Sequence, residues 1–202
     1  MSKKSLNNPS YEDLSIPIKQ KQHYAEKVLI GKAAAALICE NDTLIIDSGS
    51  TTCELARSLE QFQNLTIITI ALNVALILGE YKRFSIIVPG GNLRHQSQSL
   101  SGQIAEDVLK KFYCDKFFLG IDSFNFEKGI STPIPEEATL NQIMISMAKE
   151  VIVVCDSSKF YKRGFALIAP VSKIDTIVTD SGIPEEIHQQ LLAIGKKVII
   201  AQ

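Results

Sequence analysis

Asp47-Ser48-Gly49-Ser50-Thr51-Thr52 places one carboxylate, four hydroxyls and a glycine in six consecutive positions. At the start of a helix, backbone N–H groups without partners and a positive dipole end attract a small anion, and hydroxyl donors complete a cradle that suits phosphate. Gly49 lets a ligand approach the backbone closely. The same Ser and Thr types also suit a plain helix cap, and by spacing alone the two readings stand level. A Walker loop is excluded, because the lysine that would complete it is missing.

Four further groups carry polar chemistry. In Pro89-Gly90-Gly91-Asn92-Leu93-Arg94, Gly90 and Gly91 permit a tight turn, and the Arg94 guanidinium could clamp an anion; a turn with a solvated arginine is the plainer reading. Asp122, in Gly120-Ile121-Asp122, and Glu136 and Glu137, in Glu136-Glu137-Ala138, could accept hydrogen bonds from sugar hydroxyls. The glutamate pair equally suits the first turn of a helix as a complement to its dipole. Lys159, in Asp156-Ser157-Ser158-Lys159, could hold a phosphate as a point charge or stand as an exposed loop lysine. His95 reads as a surface histidine rather than a base, and Tyr81-Lys82-Arg83 and Tyr161-Lys162-Arg163 could touch a polyanion, with solvated loop charges the plainer reading.

Strands and helices must alternate to position these groups. Apolar runs such as LTIITI and VIVVC read as strands buried on both faces, and helical spacings separate them. The expected class is therefore α/β, a mostly parallel sheet with helices on both faces. Strands are expected at 43–47, 65–70, 84–88, 116–120, 151–155, 176–179 and 197–200, and helices at 23–39, 51–59, 73–79, 102–112, 136–149 and 184–194. Ligands bind such sheets at the carboxyl ends of the strands, where all the groups above would gather. Residues 1–21 are polar and contain Pro9 and Pro17; they read as a linker or arm, with the α/β domain over 22–202.

The totals narrow the class. The 202 residues are 46% hydrophobic, too apolar for a disordered chain. The net charge of −1 lacks the basic excess of a DNA-binding module, which argues against nucleic acid as the partner of this segment. Cys39, Cys53, Cys114 and Cys155 form no CxxC pair, so neither a metal nor a redox motif is expected, and no cofactor is called for. The polar start and the lack of an apolar run approaching ~18 residues point away from a leader or a membrane span and toward the reduced cytoplasm.

In this order, the pieces HYAEKVLIGKAAAALI, IIDSGSTTCELARSL, NLTIIT, VPGGNLR, LSGQIAEDVLKKFYCDKFFLGI, GISTPIPEEA, VIVVCDSSKF and IDTIVTD make the sequence resemble the effector-binding domain of DeoR-family bacterial transcription regulators, over roughly residues 20–201. The resemblance implies a ribose-5-phosphate isomerase/CoA-transferase-like fold, a phosphorylated sugar as effector, and operator DNA bound only through an attached helix-turn-helix. Residues 1–20 are too short and proline-broken to hold that element, which implies a sensor domain separate from its DNA-binding head. Paired operator half-sites imply a homo-oligomer, dimer or tetramer. On this reading the Ser48–Thr52 turn and Lys159 hold the phosphate, while Asp47, Asp122 and Glu137 hold the hydroxyl end. The sequence departs from the family at Thr69-Ile70-Ala71, where Thr-Asn-Ser is usual, and at Asn141, where a Lys is common. An isomerase would use Glu136 or Glu137 as base, but the stretch Gly129–Ile134 lacks the catalytic Lys of those enzymes, so binding ranks above turnover. An oligomerisation module with a vestigial pocket is the third reading.

Overall fold

The structure is a computed structural model and describes residues 13–202. Seven parallel strands form the central sheet: β1 (Thr43–Ile46), β2 (Thr66–Ile68), β3 (Ser85–Ile87), β6 (Cys114–Gly120), β9 (Ala148–Val154), β11 (Thr176–Asp180) and β12 (Lys197–Ala201). They lie in the order β12-β11-β9-β6-β1-β2-β3. Alternate residues of each strand enter opposite cores. Ile45, Phe117, Leu119, Val151 and Val153 face one side, and Leu44, Ile46, Phe118, Ile152 and Val154 the other. The apolar composition of these strands follows from that double burial.

The chain runs outward from β1 through β2 to β3, with α3 (Ser50–Arg57) and α4 (Leu72–Gly79) on one face. It then returns to β6 on the other side of β1 and continues through β9 and β11 to β12. Along that path α6 (Pro135–Met147) and α7 (Glu185–Ala193) cover the opposite face, as does α5 (Gln103–Leu109). The reversal makes the gap between β1 and β6 the switch point of the sheet, where open α/β folds leave a crevice at the strand ends. On the first face α2 (Tyr24–Ala35) packs closely on α3 through Gly31. A Cβ there would stand 2.6–2.8 Å from backbone atoms of Glu54 and Leu55.

Several expectations need correction. Residues 13–21 are not a free arm: α1 (Ile16–Lys21) packs onto the domain with Ile16 buried, and the Ile16 amide donates to the Gln96 carbonyl at 2.9 Å. Pro17 is compatible with this helix because it lies in the first turn, where its missing N–H has no partner to lose. The remainder of the expected arm lies outside the described residues. The Gly90-Gly91 turn leads into a hairpin of β4 (Asn92–Arg94) and β5 (Ser99–Ser101), and β7 (Ser123–Asn125), β8 (Gly129–Thr132) and β10 (Ala166–Ala169) form a small antiparallel sheet. The expected helix over 136–149 stops at Met147, and β9 starts at once with Ala148. Cys53, Cys114 and Cys155 are buried free thiols, and Cys39 is exposed.

Candidate functional site

The carboxyl ends of β1 and β6 flank a cavity, with α1 over it and the start of α6 to one side. It encloses about 480 Å³ of non-protein space, its open mouth included, and is lined by Asp13, Ile16, Lys19, Ser48, Gly49, Ser50, Thr51, Ser97, Gly120, Ile121, Asp122, Glu137 and Lys159. The β1–α3 turn supplies its floor. No side chain caps α3, so the first amides of the helix remain available beside the Ser50 and Thr51 side chains. A Cβ at Gly49 would stand 3.2 Å from the Thr52 hydroxyl, a tight contact that would press on the hydroxyl securing the turn.

The polar wall is held by two sets of ion pairs. Arg94, on β4, donates to Glu137 at 3.2 Å and to Asp13 at 3.1 Å. Glu137 also accepts from the Thr132 hydroxyl at 3.1 Å. Lys19, on α1, donates to Asp122 at 2.7 Å. Burial alone would push the Lys19 ammonium down, but the Asp122 carboxylate, with Glu137 and Asp13 beyond it, raises it overall. Burial and then the Asp122 charge raise the Glu137 carboxyl, against the opposing pull of Arg94 and Lys19.

Of the residues expected at the site, Ser48, Gly49, Ser50, Thr51, Asp122, Glu137 and Lys159 come together around this cavity. Arg94 reaches it through Glu137 and Asp13 rather than by lining it. The others do not line it. Thr52 is fully buried and turns its hydroxyl back to the Gly49 carbonyl at 3.0 Å, so it secures the turn. Gly90 and Gly91 are exposed and serve the approach to the Arg94 hairpin; Gly91 has φ +138°, and a Cβ there would meet the Ser101 carbonyl at 2.5 Å. Glu136 is exposed on the outer side of the first turn of α6. Neither Thr69-Ile70-Ala71 nor Asn141 lines the cavity; all four are buried.

Asp47 lies beneath the floor, 0% exposed, and no donor reaches its two carboxylate oxygens in hydrogen-bonding geometry. Burial, then the Glu137 charge, hold its carboxyl well above the usual range, and the nearby Ser48 and Gly120 amides offset only a part. An unfolded aspartate releases its proton near pH 3.9, about the reference value. Above that pH the folded chain binds the extra proton, so stability falls as pH rises toward the folded value, by at most about 1.4 kcal/mol per pH unit for one group. Asp47→Asn is expected to reduce this slope and raise Tm at neutral pH, leaving the smaller contribution of Glu137. Thermal unfolding from pH 4 to 8 checks it, and an unchanged slope contradicts it.

The residues that sequence reasoning missed are Asp13, Ile16, Lys19, Ser97 and, outside the cavity, Lys27. Lys27 is 3% exposed and ties three elements together. Its ammonium donates to the Lys19 carbonyl at 2.7 Å and to the Gln22 carbonyl, and lies 3.8 Å from Asp156 at the end of β9. The one available signal was a lysine on the apolar stripe of α2, where a cation needs a partner. Among the described residues no group of three or more His, Cys, Asp or Glu is placed to hold a metal ion. None of their helices is long and apolar enough to cross a membrane.

Comparison with known proteins agrees with this architecture. A protein of Escherichia coli O157:H7 named "Putative aga operon transcriptional repressor" is 38% identical over 192 residues, covering 95% of this chain and 70% of that protein. The transcriptional repressor AccR of Agrobacterium fabrum is 34% identical over 178 residues, covering 88% of this chain and 69% of the relative. Among solved structures, ribose 5-phosphate isomerase A of Methanocaldococcus jannaschii superposes with a TM-score of 0.52 at 17% identity, over 70% of this chain and 56% of that one. The eIF2B beta subunit of Chaetomium thermophilum gives a TM-score of 0.54 at 14% identity, over 76% of this chain and 50% of that one. At these identities the two structures show a shared fold alone. Residues 22–181 match the family described as the DeoR C terminal sensor domain, and with relatives that are named transcriptional repressors, the chain belongs to that family.

Proposed function

We propose that the cavity binds a phosphorylated sugar and that its occupancy controls DNA binding by a DeoR-type regulator. The observation that carries this reading is the meeting of the Ser48–Thr51 turn and Lys159 with Asp122 and Glu137 around one cavity. Donors of the first group suit a phosphate dianion, and carboxylates of the second suit sugar hydroxyls. Operator DNA then falls to a part of the regulator outside this domain, in keeping with a net charge of −1 and with relatives that extend beyond the matched stretch. A homo-oligomer that presents paired heads completes the picture.

The coupling element nearest the cavity is α1. It closes over the site through Lys19–Asp122 and is continued by Asp13, which Arg94 holds. A bound effector competes for these same charges and so shifts the balance between docked and released forms of residues 13–21, by as much as its affinity differs between them. Glu137 is held by Arg94 and Thr132, whereas Lys128 lines a separate hollow with Arg163, which favours binding over isomerase chemistry.

A thermal-shift screen against sugar phosphates tests the proposal. An effector at a hundredfold excess over its Kd adds about 2.7 kcal/mol of stability. Failure of every phosphorylated sugar to raise Tm would leave the cavity vestigial.

A further inference from the structure

Next to the cavity lies a second, outer hollow of about 970 Å³ of non-protein space, its open mouth included. Its charged wall is Lys19, His23, Lys159, Lys162 and Asp122, so three lysines and a histidine face one carboxylate. Lys19 already holds that carboxylate at 2.7 Å. Among the described residues Lys159 and Lys162 form no ion pair. Asp156, the other acid close by, is paired with Lys27 and accepts from the Ser158 amide and hydroxyl; it feels the Lys159 and Lys162 charges but forms no ion pair with either. The crowding is visible in the lysines themselves. Burial and then the Lys159 charge hold the Lys162 ammonium down, and Lys159 also adds to the effect of burial on Lys27. Unpaired like charges collected in a hollow are an unmet demand for an anion.

We infer that the outer hollow is a second anion site, which takes a phosphate-class dianion between Lys159, Lys162 and His23. Lys19, Asp122 and Lys159 belong to both hollows, so one elongated molecule can reach from the β1–α3 turn to Lys162. The dianion is either the second phosphoryl group of a bisphosphorylated effector or a free inorganic phosphate. Only its assignment to the effector rests on the proposed reading of the inner cavity; the outer site stands on its own residues.

Equilibrium dialysis of radiolabelled inorganic phosphate against the 202-residue chain separates these cases. Two ions per chain are expected. Lys162→Ala should weaken one of them at least tenfold and spare the other, because Lys162 lines only the outer hollow. Ser50→Asp should expel the other and spare the first, because Ser50 lines only the inner cavity. A single ion sensitive to Ser50→Asp and indifferent to Lys162→Ala overturns the outer site and leaves the effector cavity standing. A single ion with the opposite sensitivities overturns the cavity reading and leaves the outer site. Absence of any bound phosphate overturns the outer site. Fructose 1,6-bisphosphate and fructose 6-phosphate, added as competitors, identify the source. Loss of both ions to one molecule of bisphosphate marks a second phosphoryl group, and an outer ion retained under saturating bisphosphate marks a free ion.

Discussion

Lys27→Met is expected to destabilise the chain by about 3 kcal/mol or more, the usual cost of removing one partner from a buried pair. Methionine fills most of the space, so the loss is one of charge and hydrogen bonding. Three groups lose Lys27 at once: the carbonyls of Lys19 and Gln22 at the end of α1, and the Asp156 carboxylate, 1% exposed, which keeps the Ser158 bonds and the Lys159 charge. Asp156 depends on such neighbours. Burial pushes its carboxyl up, while Lys159, the Ser158 hydroxyl and Lys27 hold it below the ordinary carboxylate range. For a chain of this size the change corresponds to a fall in Tm of roughly 6–12 °C. Asp156→Asn on top of Lys27→Met should recover part of it, since the uncompensated charge is then gone. A fall in stability of less than about 1 kcal/mol would show that the pair is not the tie between α1 and the end of β9.

Lys159→Ala is expected to weaken binding of a phosphorylated effector by roughly 10- to 100-fold, the equivalent of losing a charge-assisted hydrogen bond of about 1.5–3 kcal/mol. It should also cost some stability, because the Lys159 charge helps hold the buried Asp156 carboxylate, so binding is compared at a temperature where the variant is fully folded. Calorimetric titration of the phosphorylated sugar and of its unphosphorylated parent makes the distinction: the first should lose affinity and the second should not. Equal losses for both would place Lys159 at the sugar rather than at the phosphate. Equal losses for both are expected for Glu137→Gln, which touches the hydroxyl end in the proposed pose.

The β1–α3 turn was legible in the sequence as a strand-to-helix turn, because glycine and clustered hydroxyls between an apolar strand and a helix mark a helix start, whether it is a plain cap or an anion cradle. The parallel sheet was legible for a related reason: strands such as Val151–Val154 are apolar at every position, and only burial on two faces calls for that. What stayed hidden has no local signature. Strands β4, β5 and β7 are three residues long, too short to show a period, and owe their form to pairing with distant partners. Lys19 and Ile16 sit in a short polar segment broken by Pro17, and nothing in that segment announces that Asp122, 103 residues away, will hold it. Thr52 and Asp47 were grouped with their neighbours by spacing. In the fold the strand pleat and the helix turn send them away from the cavity, into a hydroxyl–carbonyl bond and into the interior.

A crystal structure of the chain with the sugar phosphate found by thermal screening tests the central claim most directly. The phosphate is predicted to lie within about 3 Å of the Ser50 and Thr51 amides, with the Lys159 ammonium against it and the sugar hydroxyls toward Asp122 and Glu137. A phosphate seated away from the β1–α3 turn, with Ser50 and Thr51 untouched, would contradict the account.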